Sequence, residues 1–176
     1  MTRKGDWIQT FTGKQFWPLD PRAEDIDIID IAHALSNICR YCGHTNTFYS
    51  VAEHSVLISE AVPKEDALWG LLHDASEAYL SDVAKPVKPY LAEYLKAEAN
   101  IMAEIIEKFN LSPIMPRSVQ YADVAILHDE KEQVMGVAPA DWNIPYPPLG
   151  VKIQGFQPKD AKKLFLLRYR ELTPCQ

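Results

Sequence analysis

The stretch WGLLHDASEAYLSD, from Trp69 to Asp82, places ionisable groups in the middle of an apolar helix. Apolar residues occupy most sides of that predicted helix: Trp69, Leu71, Leu72, Ala75, Ala78, Tyr79 and Leu80. A helix that is apolar around most of its circumference is typically buried. Burial of a carboxylate or an imidazole without a partner is costly or forces the group to become neutral. His73, Asp74 and Glu77 therefore need a partner, and the stretch predicts a buried polar site.

Length and composition predict a single globular domain over residues 1–176. Hydrophobic residues make up 47% of the chain and charged residues 24%, and no apolar run is long enough to cross a bilayer. The N-terminal MTRKGDWIQT lacks the apolar stretch of a signal peptide, so we expect a cytoplasmic protein without a membrane partner. The net charge of -6 argues against binding to a nucleic-acid backbone but is compatible with a small phosphorylated substrate.

Hydrophobic periodicity predicts a mostly helical chain, with helices over about residues 28–39, 51–62, 65–80, 90–110, 116–135 and 158–172. Ser50 is expected to cap the second helix, because Glu53 follows three residues later as in a capping box. A proline-rich loop separates the last two helices. Within that loop, VKIQGF (151–156) could pair with the N-terminal WIQTF (7–11) as a small β-ribbon.

Three cysteines, Cys39, Cys42 and Cys175, are too few and too scattered for a disulfide framework. CRYC has the C-x-x-C spacing, but a zinc knuckle needs a second pair of ligands, and a redox pair is expected between a strand and a helix. We therefore expect reduced, partly buried thiols.

A metal ion would satisfy the ionisable groups of the opening stretch. Glu77 follows His73 by four residues and Asp74 by three, so all three side chains can line one cavity. Histidine and carboxylate together form a mixed nitrogen and oxygen ligand set, which suits zinc, manganese, cobalt or iron. Two further ligands have to come from other helices. The candidates are His54, flanked by apolar residues, and Asp123 within VQYADVAIL.

The order of these motifs resembles the HD-domain superfamily of metal-dependent phosphohydrolases. The matching segments are EHS (53–55), LLHDASE (71–77), the aspartate at 82, KPVK (85–88) and YADV (121–124). The likeness is greatest to members that act on deoxynucleotides: phage dATP triphosphohydrolases and bacterial deoxynucleoside 5'-monophosphatases. Residues 10–55, from TFTGKQFWPLDP to VAEHS, are similar to the phage group in particular. The resemblance implies an all-α fold, the HD-domain helical bundle.

Carried onto this chain residue by residue, the resemblance implies four metal ligands: His54, His73, Asp74 and Asp123. Glu77 becomes the acid, base or water-orienting group, and Asp82 assists it or binds a further ion. Arg40 and Lys88 match positions that bind phosphate in the family. Relatives often carry lysine where this chain has Gln120, so a full triphosphate clamp would depend on Lys85 or Lys88.

The activity that the resemblance implies is hydrolysis of a deoxynucleotide at its α-phosphate. The enzyme would bind a zinc, cobalt or manganese ion, and additional magnesium or cobalt ions could bind together with the substrate. The favoured reaction converts dATP and water to deoxyadenosine and tripolyphosphate, which would deplete dATP during phage infection. The alternatives are a 5'-deoxynucleotidase acting on monophosphates and a non-catalytic nucleotide-binding regulator. The resemblance also implies a homo-oligomer, from dimer to hexamer.

Two features leave alternatives open. Phe16 and Trp17 could stack on a nucleobase or anchor the N-terminal loop in the core. A second His-Asp dipeptide, His128-Asp129, lies in the charged run LHDEKEQ, which is typical of a solvated helix face, so we expect a structural or surface role for it. Asp129 competes with Asp123 as the fourth metal ligand, and the apolar neighbours of Asp123 favour the latter.

Overall fold

A computed structural model describes residues 3–173 and is mostly α-helical, as the periodicity predicts. Within these residues the helices are α1 (Ile28–Asn37), α2 (Val51–Ala61), α3 (Ala67–Leu72), α4 (Glu77–Leu80), α5 (Ala92–Phe109), α6 (Arg117–Ala125), α7 (Leu127–Gln133) and α8 (Pro158–Leu172). None of the helices between residues 3 and 173 combines the length and apolarity that crossing a bilayer requires. The all-α class is confirmed at this level.

Helix α2 lies at the centre of the bundle and packs against α1, α3, α6 and α8. Fully buried aliphatic and aromatic side chains fill the space between these helices, among them Ile31, Leu35, Leu71, Leu72 and Phe165. Gly70 allows α3 to approach α2 closely, because a Cβ at this position would lie 3.0 Å from Ser59 Cα. This close approach brings the end of α3 next to the middle of α2.

The only sheet within residues 3–173 is a two-stranded ribbon, and it pairs β1 (Ile8–Gln9) with β2 (Gln15–Phe16) in antiparallel register. Gly13 supplies the positive φ of 85° at the turn between them. The predicted pairing of residues 7–11 with residues 151–156 is therefore wrong. Closing a short local loop costs less chain entropy than joining segments that are far apart in sequence.

Residues 151–156 are held by a buried carboxylate instead of a strand. Glu53 accepts hydrogen bonds from the backbone amides of Gln154, Gly155 and Phe156 at 2.7, 3.1 and 2.9 Å. Ser50 caps α2 as predicted, with its Oγ accepting the Glu53 N–H at 3.1 Å. The Glu53 side chain does not complete the capping box, because it ties the loop before α8 to the start of α2.

Two helices that the sequence predicts as continuous are interrupted. The predicted helix over residues 65–80 stops after Leu72 and resumes at Glu77, and the one over 116–135 divides at Ile126 into α6 and α7. Between α3 and α4 the backbone forms tighter turns, in which the amides of Ala75 and Glu77 donate to carbonyls three residues earlier. On a regular α-helix consecutive side chains do not face each other. The tighter turn allows His73 and Asp74 to point to the same place.

Candidate metal centre and cavity

Four predicted ligand atoms converge where α2, the turn after α3 and α6 meet. His54 Nε2 lies 3.2 Å from His73 Nε2 and 3.2 Å from Asp123 Oδ1. His73 Nε2 lies 3.3 Å from Asp74 Oδ2 and 3.8 Å from Asp123 Oδ1. Metal–ligand bonds of about 2.0–2.1 Å in a tetrahedral site separate the ligand atoms by roughly 3.3 Å. His54, His73 and Asp123 therefore form a group that could bind a metal ion.

The hydrogen bonds of the two Nδ1 atoms determine the tautomers of His54 and His73. His54 Nδ1 lies 2.8 Å from Glu130 Oε1, and His73 Nδ1 lies 2.8 Å from the carbonyl oxygen of Gly70. Both partners are acceptors, so each Nδ1 carries a proton, and each Nε2 presents a lone pair whenever its imidazole is neutral. Two lone pairs and two carboxylates facing one another repel unless a positive charge lies between them. This donor set fits a divalent cation.

The charges of the cluster favour ionised carboxylates. Burial alone would raise the pKa of Asp74 and that of Asp123, but the neighbouring histidines hold both pKa values well below their usual range. Burial alone would lower the pKa of His73, but Asp74 and Asp123 raise it well above its usual value. The cluster thus attracts positive charge, which either protons or a metal ion can supply.

A cavity of about 900 Å³ opens beside the cluster. Sites for small molecules span about 300–1,000 Å³, so this volume is large enough for a nucleotide-sized ligand. The residues of the cluster that reach its wall are Asp74 and Asp123. The other predicted site residues that line it are Arg40, Glu77, Asp82, Lys85 and Lys88. The structure therefore brings the predicted carboxylates and cations to one cavity, with His54 and His73 buried behind them.

Glu77 is buried at the start of α4 and lines this cavity. Its Oε1 lies 3.3 Å from Lys88 Nζ, whereas its buried Oε2 has no hydrogen-bond partner among residues 3–173. Burial, together with the charges of Asp74 and Asp82, raises the pKa of Glu77 to about 8. A buried carboxyl with a pKa near neutrality and an unpartnered oxygen is suited to exchange a proton with a bound molecule.

Two cations of the cavity, Arg40 and Lys88, are paired with acids. Arg40 Nη1 lies 3.8 Å from Asp74 Oδ2, and Lys88 Nζ lies 3.3 Å from Glu77 and 3.0 Å from Glu98. Burial alone would lower the pKa of Lys88, but Glu98 and Glu77 raise it well above its usual value. Both side chains therefore stay charged at neutral pH and remain available to an anion.

Phe16 and Trp17 do not line the cavity, so the prediction that they contact substrate is corrected. Phe16 is fully buried in the main core, where its ring stacks on Tyr79 with centroids 3.9 Å apart. The guanidinium of Arg3 lies 4.5 Å from the centre of the Trp17 ring. The burial of Phe16 matches the anchoring alternative, because its apolar ring is stabilised by leaving water.

The aromatic residues that do line the cavity are Tyr41 and Trp142, with ring centroids 5.8 Å apart. Tyr41 and Cys42 have positive φ values of 55° and 53°, which non-glycine residues rarely adopt. The hydroxyl of Tyr41 donates to Glu130, and this contact helps to hold the strained segment. Trp142 belongs to the loop between α7 and α8, where no periodic pattern marks it in the sequence.

The cysteine predictions have different outcomes. Cys39 is half-buried, in agreement with the sequence, whereas Cys42 is exposed at the cavity. Cys175 lies outside the described residues. Cys39 and Cys42 are both free thiols.

The second dipeptide, His128-Asp129, lies outside the metal cluster. Asp129 is buried, and its carboxylate accepts the backbone amides of Leu149 and Gly150 at 2.9 and 3.0 Å. Of the structural and surface roles expected for this dipeptide, Asp129 has the structural one, and its side chain is buried instead of solvated. The dipeptide has a structural contact, since it holds the end of the proline-rich loop on α7.

Sequence reasoning missed Glu130, which is fully buried behind His54. A signal for it exists in the sequence. A row of residues at a spacing of four is buried along α6 and α7, and it consists of Ala122, Ile126, Glu130 and Val134. A charged residue within such an apolar row indicates a buried carboxylate that needs partners. Burial alone would raise the pKa of Glu130, but Arg40 and His54 lower it to about 2.

Comparisons with known proteins identify two bacterial relatives. Uncharacterized protein YfdR of Escherichia coli (strain K12) is 47% identical over 128 residues, which cover 73% of this chain and 72% of the relative. The chain belongs to the YfdR family. Uncharacterized protein RCAP_rcc00048 of Rhodobacter capsulatus is 33% identical over an alignment of 189 residues that covers 96% of each chain. No family model matches the chain. The names of the two relatives state no activity, so the function has to be argued from the site.

Proposed function

We propose that this protein is an HD-domain, metal-dependent phosphohydrolase that acts on a deoxynucleotide. The observation that carries the proposal is the convergence of His54, His73, Asp74 and Asp123 beside a cavity that also contains Glu77. These residues occur in the order that resembles the HD-domain superfamily. Metal ligands, a proton-exchanging acid and two cations in one cavity are the parts that phosphoryl transfer requires.

The ligand set would hold a zinc, cobalt or manganese ion, which when bound polarises a phosphoryl oxygen and lowers the pKa of water. Glu77 would orient the attacking water and accept its proton on Oε2, the oxygen that has no hydrogen-bond partner among residues 3–173. Asp82 supports this role, because its negative charge raises the pKa of Glu77 and so makes the ionised carboxylate a stronger acceptor of that proton.

Arg40 and Lys88 would neutralise the charge of the transferring phosphate. Lys88 can exchange one of its two carboxylate partners for a phosphate oxygen, and the exposed Lys85 can reach an outer phosphate. The aromatic faces of Tyr41 and Trp142 are suited to a nucleobase, because stacking on aromatic rings tolerates every base. These contacts favour a nucleotide over a phosphorylated sugar.

Within this class we favour dATP triphosphohydrolase activity, which produces deoxyadenosine and tripolyphosphate. The support is the likeness of residues 10–55 to the phage enzymes, for which the role would be depletion of dATP during infection. The same likeness leads us to expect a homo-oligomer, from dimer to hexamer. Neither expectation follows from the distances in the cavity.

A 5'-deoxynucleotidase acting on monophosphates is the second candidate, and Gln120 favours it. The Gln120 side chain is exposed and donates to the carbonyl of Met115 instead of reaching the cavity. A member of the HD-domain superfamily with a lysine at this place would have a further cation for a triphosphate. Its absence leaves Arg40, Lys85 and Lys88 as the candidate phosphate contacts in this cavity.

The test is hydrolysis of every deoxy- and ribonucleoside mono- and triphosphate by metal-free protein supplied with Co²⁺, Mn²⁺, Zn²⁺ or Mg²⁺. Ion-exchange chromatography separates the products, and Asp74→Ala is the control. Deoxyadenosine and tripolyphosphate from dATP alone would support the favoured reaction. Inorganic phosphate from monophosphates alone would select the nucleotidase. Tight nucleotide binding without turnover in any metal would contradict both and select the regulator.

A further inference from the structure

Glu130 is a fully buried carboxylate on α7 that four side chains contact. Its Oε1 accepts from His54 Nδ1 at 2.8 Å and from the hydroxyl of Tyr49 at 3.0 Å. Its Oε2 accepts from Arg40 Nη2 at 3.1 Å and from the hydroxyl of Tyr41. An ionised carboxylate offers about four acceptor positions. Four donors therefore use the full hydrogen-bonding capacity of Glu130.

The geometry of Arg40 agrees with this saturation. Arg40 Nε lies 3.0 Å from Glu130 Oε1, close enough for an ion pair. The same nitrogen is buried and has no well-aligned acceptor among residues 3–173. The positions on Oε1 are already occupied by His54 and Tyr49. Arg40 is therefore held through Nη2 and by charge, not by a symmetrical two-bond pair.

We propose that Glu130 is a positioning residue that orients a metal ligand and the phosphate-facing arginine with one carboxylate. On the metal side, Oε1 keeps the proton of His54 on Nδ1. The lone pair on Nε2 then points at the atoms of His73 and Asp123, each 3.2 Å away. A carboxylate behind a ligating histidine fixes its tautomer and makes it a stronger ligand.

On the substrate side, Oε2 holds Nη2 of Arg40, while Nη1 is not bound by Glu130 and lies at the cavity beside Asp74. Arg40 Nη1 points toward Asp74, 3.8 Å away, and the side chain is 13% exposed. The guanidinium is planar, so fixing Nη2 also fixes the direction of Nη1. This half of the inference rests on the proposed function, because it assumes that the ligand carries phosphate.

The test compares Glu130→Gln, which keeps the shape and removes the charge, with Tyr49→Phe, which removes a different donor from the same carboxylate. Tyr49 contacts neither the cluster nor the cavity wall through its hydroxyl, so it controls for the loss of a buried hydrogen bond. The first measurement is the Co²⁺ dissociation constant and the visible absorption of the bound Co²⁺, with no nucleotide present. The second is the affinity of the Co²⁺-saturated protein for inorganic tripolyphosphate.

We expect Glu130→Gln to weaken Co²⁺ binding by about 10- to 100-fold and to change its absorption spectrum. Tripolyphosphate affinity is expected to fall in the same variant, while Tyr49→Phe stays within about twofold of the wild type in both measurements. Wild-type Co²⁺ binding and spectrum in Glu130→Gln would overturn the proposal and leave Glu130 as a brace between helices. Equal losses in Tyr49→Phe would overturn it as well.

Glu130→Asp keeps the test decisive if the Gln variant does not fold. The shorter side chain keeps its charge but cannot reach His54 and Arg40 together, so we expect at least one of the two affinities to stay low. Wild-type values for both would overturn the proposal. The Co²⁺ measurement needs no turnover, so it can succeed even when every nucleotide proves to be a poor substrate. Failure of the proposed function is thereby kept separate from failure of the role of Glu130.

Discussion

This chain contains two His-Asp dipeptides, and they do different things. His73-Asp74 follows α3 in a tight turn, where the two side chains converge with His54 and Asp123. His128-Asp129 lies within α7, where the carboxylate accepts two backbone amides of a loop. Each aspartate is also followed three residues later by a glutamate. The dipeptide therefore does not define a site by itself.

The elements opposite each dipeptide account for the difference. His73-Asp74 faces a histidine of α2 and an aspartate of α6, and these supply lone pairs that need a cation. Asp129 faces backbone N–H groups, which satisfy a carboxylate without any ion. Similar local sequences thus acquire a metal site or a structural contact according to what the fold places beside them.

The largest expected effect comes from the matched pair Asp74→Asn and Asp129→Asn. Asp74→Asn removes a candidate metal ligand, and we expect kcat to fall by about 10³-fold or more. Asp129→Asn is expected to keep kcat within about threefold, because Asp129 contacts only the loop. Steady-state kinetics with the best substrate checks both. Equal losses in the two variants would remove the distinction between the dipeptides.

The glutamates that follow the dipeptides provide the next comparison. Glu77→Gln removes the proton acceptor of the proposed reaction, so kcat should fall by about 10²- to 10⁴-fold with little change in metal affinity. Glu132 is exposed on α7, and Glu132→Gln is the matched control, which should behave as the wild type. Kinetics and a metal titration on the same preparations separate the two effects. A full-activity Glu77→Gln enzyme would exclude Glu77 as the acid or base.

Metal removal tests the first dipeptide through stability. A ligand present at 100 times its dissociation constant stabilises the folded state by about 2.7 kcal/mol. For a chain of this size that corresponds to a Tm increase of roughly 5–10 °C. Thermal denaturation with a chelator and with added Zn²⁺ should show this shift in the wild type and in Asp129→Asn. Asp74→Asn should lose most of it, and an equal shift in that variant would place the ion elsewhere.

Asp129→Asn should reveal its own role in the stability of the protein. The substitution weakens two charge-assisted hydrogen bonds to the amides of Leu149 and Gly150. We expect the free energy of unfolding to fall by about 1–3 kcal/mol. Urea denaturation of metal-free protein measures it, and hydrogen exchange of the two amides should accelerate. Unchanged exchange would show that this contact does not hold the loop.

A histidine outside both dipeptides gives the smallest effect, in its pH dependence. Burial and the nearby Lys162 lower the pKa of His33 below its ordinary value of 6.5, although Asp30 opposes them. Because the pKa of His33 is lower in the folded protein, the unfolded chain binds a proton at this imidazole more tightly. The contribution of His33 to the free energy of unfolding is therefore fully present above pH 6.5 and is lost as the pH falls through the folded pKa. An NMR titration should place its midpoint below 6.5, and Lys162→Met should raise it. A midpoint above 6.5 would contradict the effect of burial.

Much of the fold follows from the spacing of apolar residues. The bounds of α8 and the start of α2 agree with the sequence, because a proline and a serine cap mark those helix ends. The break after Leu72 does not follow, because residues 73–76 have helix-compatible spacing and only tertiary contacts favour the tighter turn. The ribbon was wrongly paired because apolar alternation does not specify a partner strand.

Some residues of the candidate site can likewise be predicted from the sequence, and others cannot. His54, Asp74, Glu77 and Asp123 could be selected because charged groups in apolar helices need partners. Glu130 meets the same criterion, yet the charged residues on both sides of it concealed the buried row that it belongs to. Trp142 lies in an irregular loop, so no periodicity relates it to the cavity. Its position depends on contacts between that loop and α7, which a linear pattern does not encode.

The loop between α7 and α8 is held through its main chain. Asp129 binds the amides of residues 149 and 150, and Glu53 binds those of residues 154–156. Every non-proline residue has such an amide, so the hydrogen bonds themselves require no particular side chain. Gly150 and Gly155 are the exceptions, because their positive φ values of 74° and 67° favour glycine. Away from these glycines and from Leu149, Val151 and Ile153, which pack against the core, substitutions in the loop can therefore accumulate during evolution while its path over the bundle is kept. The cavity wall that Trp142 supplies is thus a part of the protein where ligand preference can diverge between related chains while the main-chain contacts keep the loop in place.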